Sequence, residues 1–303
     1  MNSVDRLDLV FAAPDAAGLE GARDFLAAIG ADIHCETTLA ASRSVRLRGV
    51  APLEGAALEA LREKSRAAGL DCVLVPQTLA LASFRAAFFD MDSTLVANET
   101  LDEMARMLGL GEACAEITHK AMTGEIKDYA SSLRARVALL KGLDAHCIDA
   151  LCSEIELNPG VAQLMPRLQK AGLATYVVSS GFTVVTEVVR RRLAMTGTHS
   201  NVIGIENGRF TGGVTGPDGG AIIDAAGKRA FVEKTMRAME LTPSAAICSG
   251  DGSNDVGMVS AAGFGVGFRP KAVLAPHCTM TLNVCGFDAL LEAFCDTAEV
   301  FAS

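Results

Sequence analysis

The sequence predicts an α/β protein: a doubly wound parallel sheet carrying a helical insertion, with a smaller α+β unit in front. Three observations carry that expectation. From residue 161 onward short apolar runs alternate with amphipathic helical stretches, the pattern of strand–helix–strand units. Two apolar runs, 87–89 and 245–248, lead into aspartates, Asp90 and Asp251, where their strands should end. Residues 6–75 read strand, helix, strand, strand, helix, strand, the order of a split ferredoxin-like unit.

Residues 6–12 (RLDLVFA) form the first strand, and 17–29 a helix stopped by Gly30. Stretches 32–39 and 43–50 make a hairpin. In its second arm Val45 and Leu47 alternate with Arg46 and Arg48, the period of a half-buried strand. A helix over 53–68 ends at Gly69, and 71–75 gives a last short strand. Pro76 opens a linker, so 1–80 is expected as one domain and 84–303 as another. The run 87–89 is a buried strand of the second. Residues 99–157 switch to helical periodicity, broken at Gly109, Gly111, Gly124 and Gly142, and the turn Asn158-Pro159-Gly160 closes this insertion. Helix 161–171, strand 173–178, helix 183–193, a hairpin around Asn207-Gly208, a helix from about 227 to 239 and strand 245–248 complete the pattern.

At 303 residues the chain can build two cores. Half of it is apolar, Trp is absent and aromatics are scarce, so Leu, Val, Ala and Gly must fill them. A net charge of -9 argues against nucleic acid as a partner. An anionic ligand would need local cations or a metal. Nine cysteines, none paired as CxxC, read as reduced residues of a reducing compartment. Zinc is not expected, because the five histidines do not pair with them at ligand spacing. Asp5, Arg6 and Asp8 do not fit a signal peptide, and the apolar run before Asp90 is too short to span a bilayer. The expectation is a soluble, cytoplasmic protein without a membrane partner.

In an extended segment residues two apart face the same side, so Asp90 and Asp92 look into one crevice at the carboxyl edge of the sheet. Two close carboxylates need a cation or a transferred proton to separate their roles. The loop SGDGSNDVGM, 249–258, follows the second strand, and Gly250 and Gly252 let backbone approach a ligand. Hard oxygens suit Mg²⁺: Asp90, Asp251 and the backbone carbonyl of Asp92, with Asp255 as a holder of bound water. Either loop alone reads equally as an Asp-rich turn; the conjunction is the more specific signal. Ser179-Ser180-Gly181 precedes a helix, which makes an anion site or a simple N-cap. Lys228 begins a helix, where the dipole disfavours a cation, so it is solvated or held by an anionic ligand. His119 and His146 are expected at the surface and Cys248 in the core. A metal, a free carboxylate, a second carboxylate, a hydroxyl and a lysine are the parts phosphoryl transfer needs, and a carboxylate nucleophile would give an aspartyl-phosphate.

DMDST at 90–94, Ser179, Lys228 and GDGSND at 250–255 resemble the four motifs of the haloacid dehalogenase (HAD) superfamily of phosphatases. DMDSTLVANETLDEMA, KAMTGEIKDYASSLRARVALLKG, VVSSGFT, FTGGVTG and GDGSNDVGM narrow the resemblance to its phosphoserine phosphatase family. These motifs run through most of 86–270. The resemblance implies a Rossmann-like core with a helical cap at 99–157, and Mg²⁺-dependent hydrolysis of O-phospho-L-serine to serine and phosphate in serine biosynthesis. It implies Asp90 as nucleophile, Asp92 as general acid and then base, and Mg²⁺ on Asp90, Asp92 and Asp251. Ser179 and Lys228 would hold the phosphoryl group, with Ser180 and Gly181 in the same loop and Asn254 on the phosphate side. Glu99 would meet the substrate ammonium, Arg136 its carboxylate, and Met122 would line the pocket. A bidentate arginine suits that task.

The first 80 residues resemble the small ACT-like domain of longer relatives, a candidate serine sensor or dimerisation module. A homodimer is the default expectation. Four positions depart from the family pattern. Ser180 replaces a usual Gly, Tyr129 a usual Phe and Gly257 a usual Pro, and one extra residue separates Met122 from Arg136, which leaves Arg134 as the rival of Arg136. Two other readings stay open: the same chemistry on another small phosphate monoester, and a receiver-type module phosphorylated on aspartate without turnover.

Overall fold

A computed structural model describes residues 6–33, 35, 37–53 and 55–297 of the chain. Its first unit is β1 (Leu7–Ala12), α1 (Ala16–Gly21), α2 (Arg23–Asp32), β2 (Thr37–Ala40), β3 (Ser44–Val50), α3 (Ala56–Ala67) and β4 (Asp71–Pro76). The strands form an antiparallel sheet in the order β2-β3-β1-β4. Alternation along β1 sorts its side chains. Leu9 and Phe11 pack with Phe25, Leu26 and Leu61 of the covering helices, while Val10 and Ala12 join the large core of the rest of the chain.

The expected helix 17–29 is two helices, broken at Ala22 (φ -94°, ψ 8°), whose side chain is buried. Asp15 caps the first by accepting from the Gly18 amide at 2.8 Å. Gly30 does not stop the second, which runs on to Asp32 and shortens the following strand. His34 and Glu36 of the expected strand 32–39, Glu54 of the expected helix 53–68, and the ends 1–5 and 298–303 of the expected domains lie outside the described residues.

The second unit runs β5 (Ala86–Phe89), α4 (Thr100–Met107), α5 (Gly111–Met122), α6 (Tyr129–Ala138), α7 (Cys147–Ser153), α8 (Val161–Lys170), β6 (Ala174–Phe182), α9 (Thr183–Arg192), β7 (Gly197–Glu206), β8 (Arg209–Thr215), α10 (Ala225–Ala238), β9 (Ala246–Gly250), α11 (Val256–Ala261), β10 (Phe264–Phe268) and β11 (Met280–Leu282). The sheet order is β11-β10-β9-β5-β6-β7-β8, parallel except for the final β7–β8 hairpin. From β5 the chain winds first to β6 on one side and later to β9 on the other. β5 is therefore the switch point, where open α/β sheets leave a crevice at the strand's carboxyl end.

All four residues of β5 are buried. Ala87 and Phe89 belong to one core cluster and Ala86 and Phe88 to another, as a strand covered on both faces requires. Helices α4 to α7 fill the interval between β5 and α8, and Met104 of α4, Leu133 and Val137 of α6 and Leu151 of α7 join the main core. The two ends of this insertion are stapled by Asn158, whose Nδ2 donates to the carbonyls of Thr94 at 2.7 Å and Val96 at 3.1 Å. Gly160 follows with φ 80°, and a Cβ there would lie 2.4 Å from the Phe287 amide nitrogen.

The nine cysteines are free, and burial pushes the Cys248 thiol up, as a core residue should behave. His119 and His146 are exposed. Among the described residues, no helix is long and apolar enough to cross a membrane.

Candidate active site

Asp90 is the first residue beyond β5, and its amide still donates to the Ser249 carbonyl of β9 at 2.9 Å. Its Oδ1 lies 2.7 Å from Nζ of Lys228, a fully buried lysine near the start of α10. The same ammonium reaches Oδ1 of Asp255 at 2.8 Å, so it is carboxylates that hold this cation against the helix dipole. Asp255 is itself anchored: its Oδ2 accepts from the amides of Asp251 and Gly252, each at 3.1 Å. Gly250 makes room, since a Cβ there would stand 2.2 Å from Asp255 Cγ.

Burial, and next the charge of Asp255, push the Asp90 carboxyl well above the usual carboxylate range, against the pull of Lys228. Burial alone would lower Lys228, but Asp255 and Asp90 outweigh it and hold the lysine raised and charged. Side-chain oxygens of Asp90, Asp251 and Asp255 all lie within 4.8 Å of one another. Of these three clustered carboxylates, Asp90 and Asp255 share the buried ammonium of Lys228, while Asp251 pairs through Oδ2 with Lys271 at 2.8 Å, which is largely solvated. Among the described residues none donates to Asp90 Oδ2 or Asp251 Oδ1. A donor set of hard, buried, charge-crowded oxygens with free positions fits a divalent cation such as Mg²⁺. Asp255, with both oxygens engaged by the protein, fits a supporting role.

The carboxyl of Asp92 lies outside that cluster; the sequence reading assigns the cation its backbone carbonyl. Its oxygens accept from the amide and hydroxyl of Thr100, both at 3.2 Å, at the start of α4. Burial first, and then the neighbouring Glu99, push this carboxyl up to about 7. Gly181 permits close approach from β6, because a Cβ there would come 3.3 Å from Asp92 Oδ2 and 3.1 Å from Ser179 Oγ. Ser179 and Ser180 stand within β6, which extends past the expected 173–178 to Phe182; Phe182 precedes α9, with no side-chain cap. The alternative of a serine N-cap therefore falls away.

A cavity of about 500 Å³ opens above these groups. The core supplies Asp90, Asp92, Ser179, Ser180 and Gly181 to its wall, with Asp251 and Asn254 from the loop after β9. The insertion supplies Glu99, Met122 and Arg136, with Met122 exposed at the rim. Lys228 sits beneath, in contact with Asp90. Arg136 projects a buried Nε with no partner among the described residues, and its Nη1 is 3.8 Å from Asp102. Arg134 is exposed and off the wall.

Sequence reasoning missed polar groups of the site: Asp102, Lys271 and the hydroxyl of Tyr129 on the cavity wall, and Thr100 buried behind Asp92. Thr100 could have been suspected from its place beside Glu99 at a helix start. Lys271 and the Tyr129 hydroxyl carry no spacing signal, because the fold alone brings them to the site.

Residues 87–260 match the haloacid dehalogenase-like hydrolase family. The chain is similar to a phosphoserine phosphatase from Albidiferax ferrireducens, 41% identical over 217 residues, which are 71% of this chain and 92% of that one. It is also similar to the crystal structure of a HAD family hydrolase from Salmonella enterica subsp. enterica serovar Typhi. There the TM-score is 0.84 at 26% identity, over 96% of this chain and 99% of the other. A phospho-aspartyl intermediate analogue of phosphoserine phosphatase gives 0.63 at 29% identity, over 70% of this chain and 99% of that one.

Proposed function

The chain belongs to the haloacid dehalogenase-like hydrolases and is an enzyme, and on that premise we propose that it hydrolyses O-phospho-L-serine to L-serine and phosphate. The observation that carries this reading is the pairing of a buried carboxylate–lysine couple, Asp90 and Lys228, with an acid and an arginine that the helical insertion brings to the same cavity. The couple suits a phosphoryl group. Glu99 and Arg136 suit an ammonium and a carboxylate, the two charges an amino acid presents.

Asp90 attacks phosphorus through Oδ2, and the bond from phosphorus to the seryl oxygen breaks. Asp92, held by Thr100 and facing Gly181, gives the departing oxygen its proton. The product is an aspartyl-phosphate on Asp90 and free serine. Asp92 then takes a proton from water, whose oxygen attacks phosphorus and returns Asp90 to its starting form. Lys228 offsets charge on the phosphoryl oxygens, and Ser179, Ser180, Gly181 and Asn254 supply donors around them. Mg²⁺ held by Asp90, Asp251 and the Asp92 carbonyl would supply further neutralisation of that charge. The insertion 99–157 acts as a cap that excludes bulk water, and Met122 lines its mouth.

In this reading 84–303 is the catalytic domain and 1–80 an ACT-like ferredoxin unit, a division supported by the sheet order β2-β3-β1-β4. The enzyme serves serine biosynthesis in the cytoplasm, a compartment in keeping with nine free cysteines. Phosphate release from a panel of small phosphate monoesters, with and without Mg²⁺, tests the proposal. Phosphoserine should be the best substrate and chelation should silence it. A faster rate on a monoester lacking the amino-acid head would overturn the substrate assignment.

A further inference from the structure

We propose that the Tyr129 hydroxyl is a positioning group for phosphate: it joins the cap to the Ser180 carbonyl and so fixes the peptide that presents the Ser180 hydroxyl to the cavity. The inference rests on the reading of residues 179–181 as the phosphate loop.

The Ser180 carbonyl accepts two hydrogen bonds, one from each side of the site. Asn201 Nδ2 donates at 2.8 Å, and Asn201 is fully buried, its own Oδ1 occupied by the Ile223 amide at 2.8 Å. That bond belongs to the core and holds whether the cap is open or shut. The second comes from the Tyr129 hydroxyl at 3.3 Å. Tyr129 is the first residue of α6, set there by Asp128, which accepts from the Ser131 amide at 2.8 Å. This bond exists only when the cap is seated on the core. A carbonyl oxygen has two lone pairs, so both donors together complete its pairing and fix the plane of the peptide.

The other end of Ser180 is unfinished. The residue is 7% exposed and its Oγ is buried with no partner among the described residues, on the wall it shares with Asp90 and Ser179. A buried hydroxyl without a partner is costly unless a ligand supplies the acceptor, and a phosphoryl oxygen is the acceptor this cavity would bring. Arg136 stands two turns along the same helix as Tyr129, on the same face. Its Nε is likewise buried and has no partner among the described residues. One movement of α6 therefore seats both groups. The step that brings the arginine over the cavity also locks the phosphate loop, which couples recognition of the substrate's head to grip on its phosphoryl group.

Tyr129→Phe deletes the hydroxyl and keeps the ring; Ser180→Ala keeps the carbonyl and deletes Oγ. The two variants, their double and the wild type are compared for inorganic phosphate binding by calorimetry with Mg²⁺, and for kcat/KM on phosphoserine. Each single change should weaken phosphate about 3- to 10-fold, the worth of one hydrogen bond. The double should lose no more than the worse single, because the tyrosine acts through Ser180. Multiplied losses in the double, or phosphate affinity in Tyr129→Phe equal to wild type, would overturn the inference. A wild type that shows the expected phosphate pattern but does not hydrolyse phosphoserine would sink the substrate assignment and leave the inference standing.

Discussion

Replacing Lys228 with methionine removes the buried positive charge of the site while keeping most of its stem. The ammonium is fully buried, 2.7 Å from Asp90 and 2.8 Å from Asp255. Without it these carboxylates face each other and Asp251 within 4.8 Å, away from water. Removing one partner of a buried ion pair costs about 3–5 kcal/mol, and a methionine of similar volume adds little cavity penalty. The variant should therefore lose about 3–5 kcal/mol of unfolding free energy at pH 8 in EDTA.

The loss should depend on pH with a definite sign. The Asp90 carboxyl is already raised by burial and Asp255, and loss of the lysine raises it further. A carboxyl raised in the folded state contributes stability below its unfolded value and loses it as pH climbs through the folded one. The deficit should accordingly shrink toward pH 5 and widen toward pH 8. Mg²⁺ at a hundredfold excess over its dissociation constant should return about 2.7 kcal/mol. Urea unfolding followed by far-UV circular dichroism reads all of this, since the chain has no Trp. A deficit under about 1 kcal/mol at pH 8, or one that grows on acidification, would refute the reasoning.

Arg136→Ala should lower kcat/KM on phosphoserine about 10- to 100-fold, the worth of a charged hydrogen bond, and on an aryl phosphate less than about threefold; equal losses on both would remove the carboxylate role. Asp71→Ala should cost about 3 kcal/mol in urea unfolding, because its buried carboxylate accepts from the amides of Asn283, Val284 and Cys285, and a cost under about 1 kcal/mol would contradict that. Burial, and then Lys234, lower the His199 imidazole, which stacks on Phe231 at 4.1 Å. A depressed histidine withdraws stability as pH falls through its unfolded value near 6.5, so His199→Phe should lose less of its urea midpoint than wild type between pH 7.5 and 5.5. An identical drop in both would show that His199 is not the group responsible.

The carboxylates were legible because strand periodicity and turn chemistry act locally. An apolar strand that ends in Asp90, and another that ends before Asp251, place both on one sheet edge whatever the rest of the chain does. Lys228 was half legible: the helix start marked it as misplaced, but its partners lie on two other segments. Strand β6 outran its expected end because Ser179 and Ser180 continue the extended backbone, where composition suggested a helix cap. Ala22 breaks a helix whose apolar period is unbroken, a tertiary effect of its own burial. The Asp71 clasp and the contact from Tyr129 to Ser180 join residues far apart in sequence, and no local pattern announces such pairs.

The central claim is that Asp90 carries the phosphoryl group. Wild-type enzyme mixed with phosphoserine and Mg²⁺, quenched in acid and reduced with borohydride, should contain homoserine at position 90 and nowhere else by peptide mass spectrometry. Homoserine at another aspartate, or none while phosphate is released, would contradict the account.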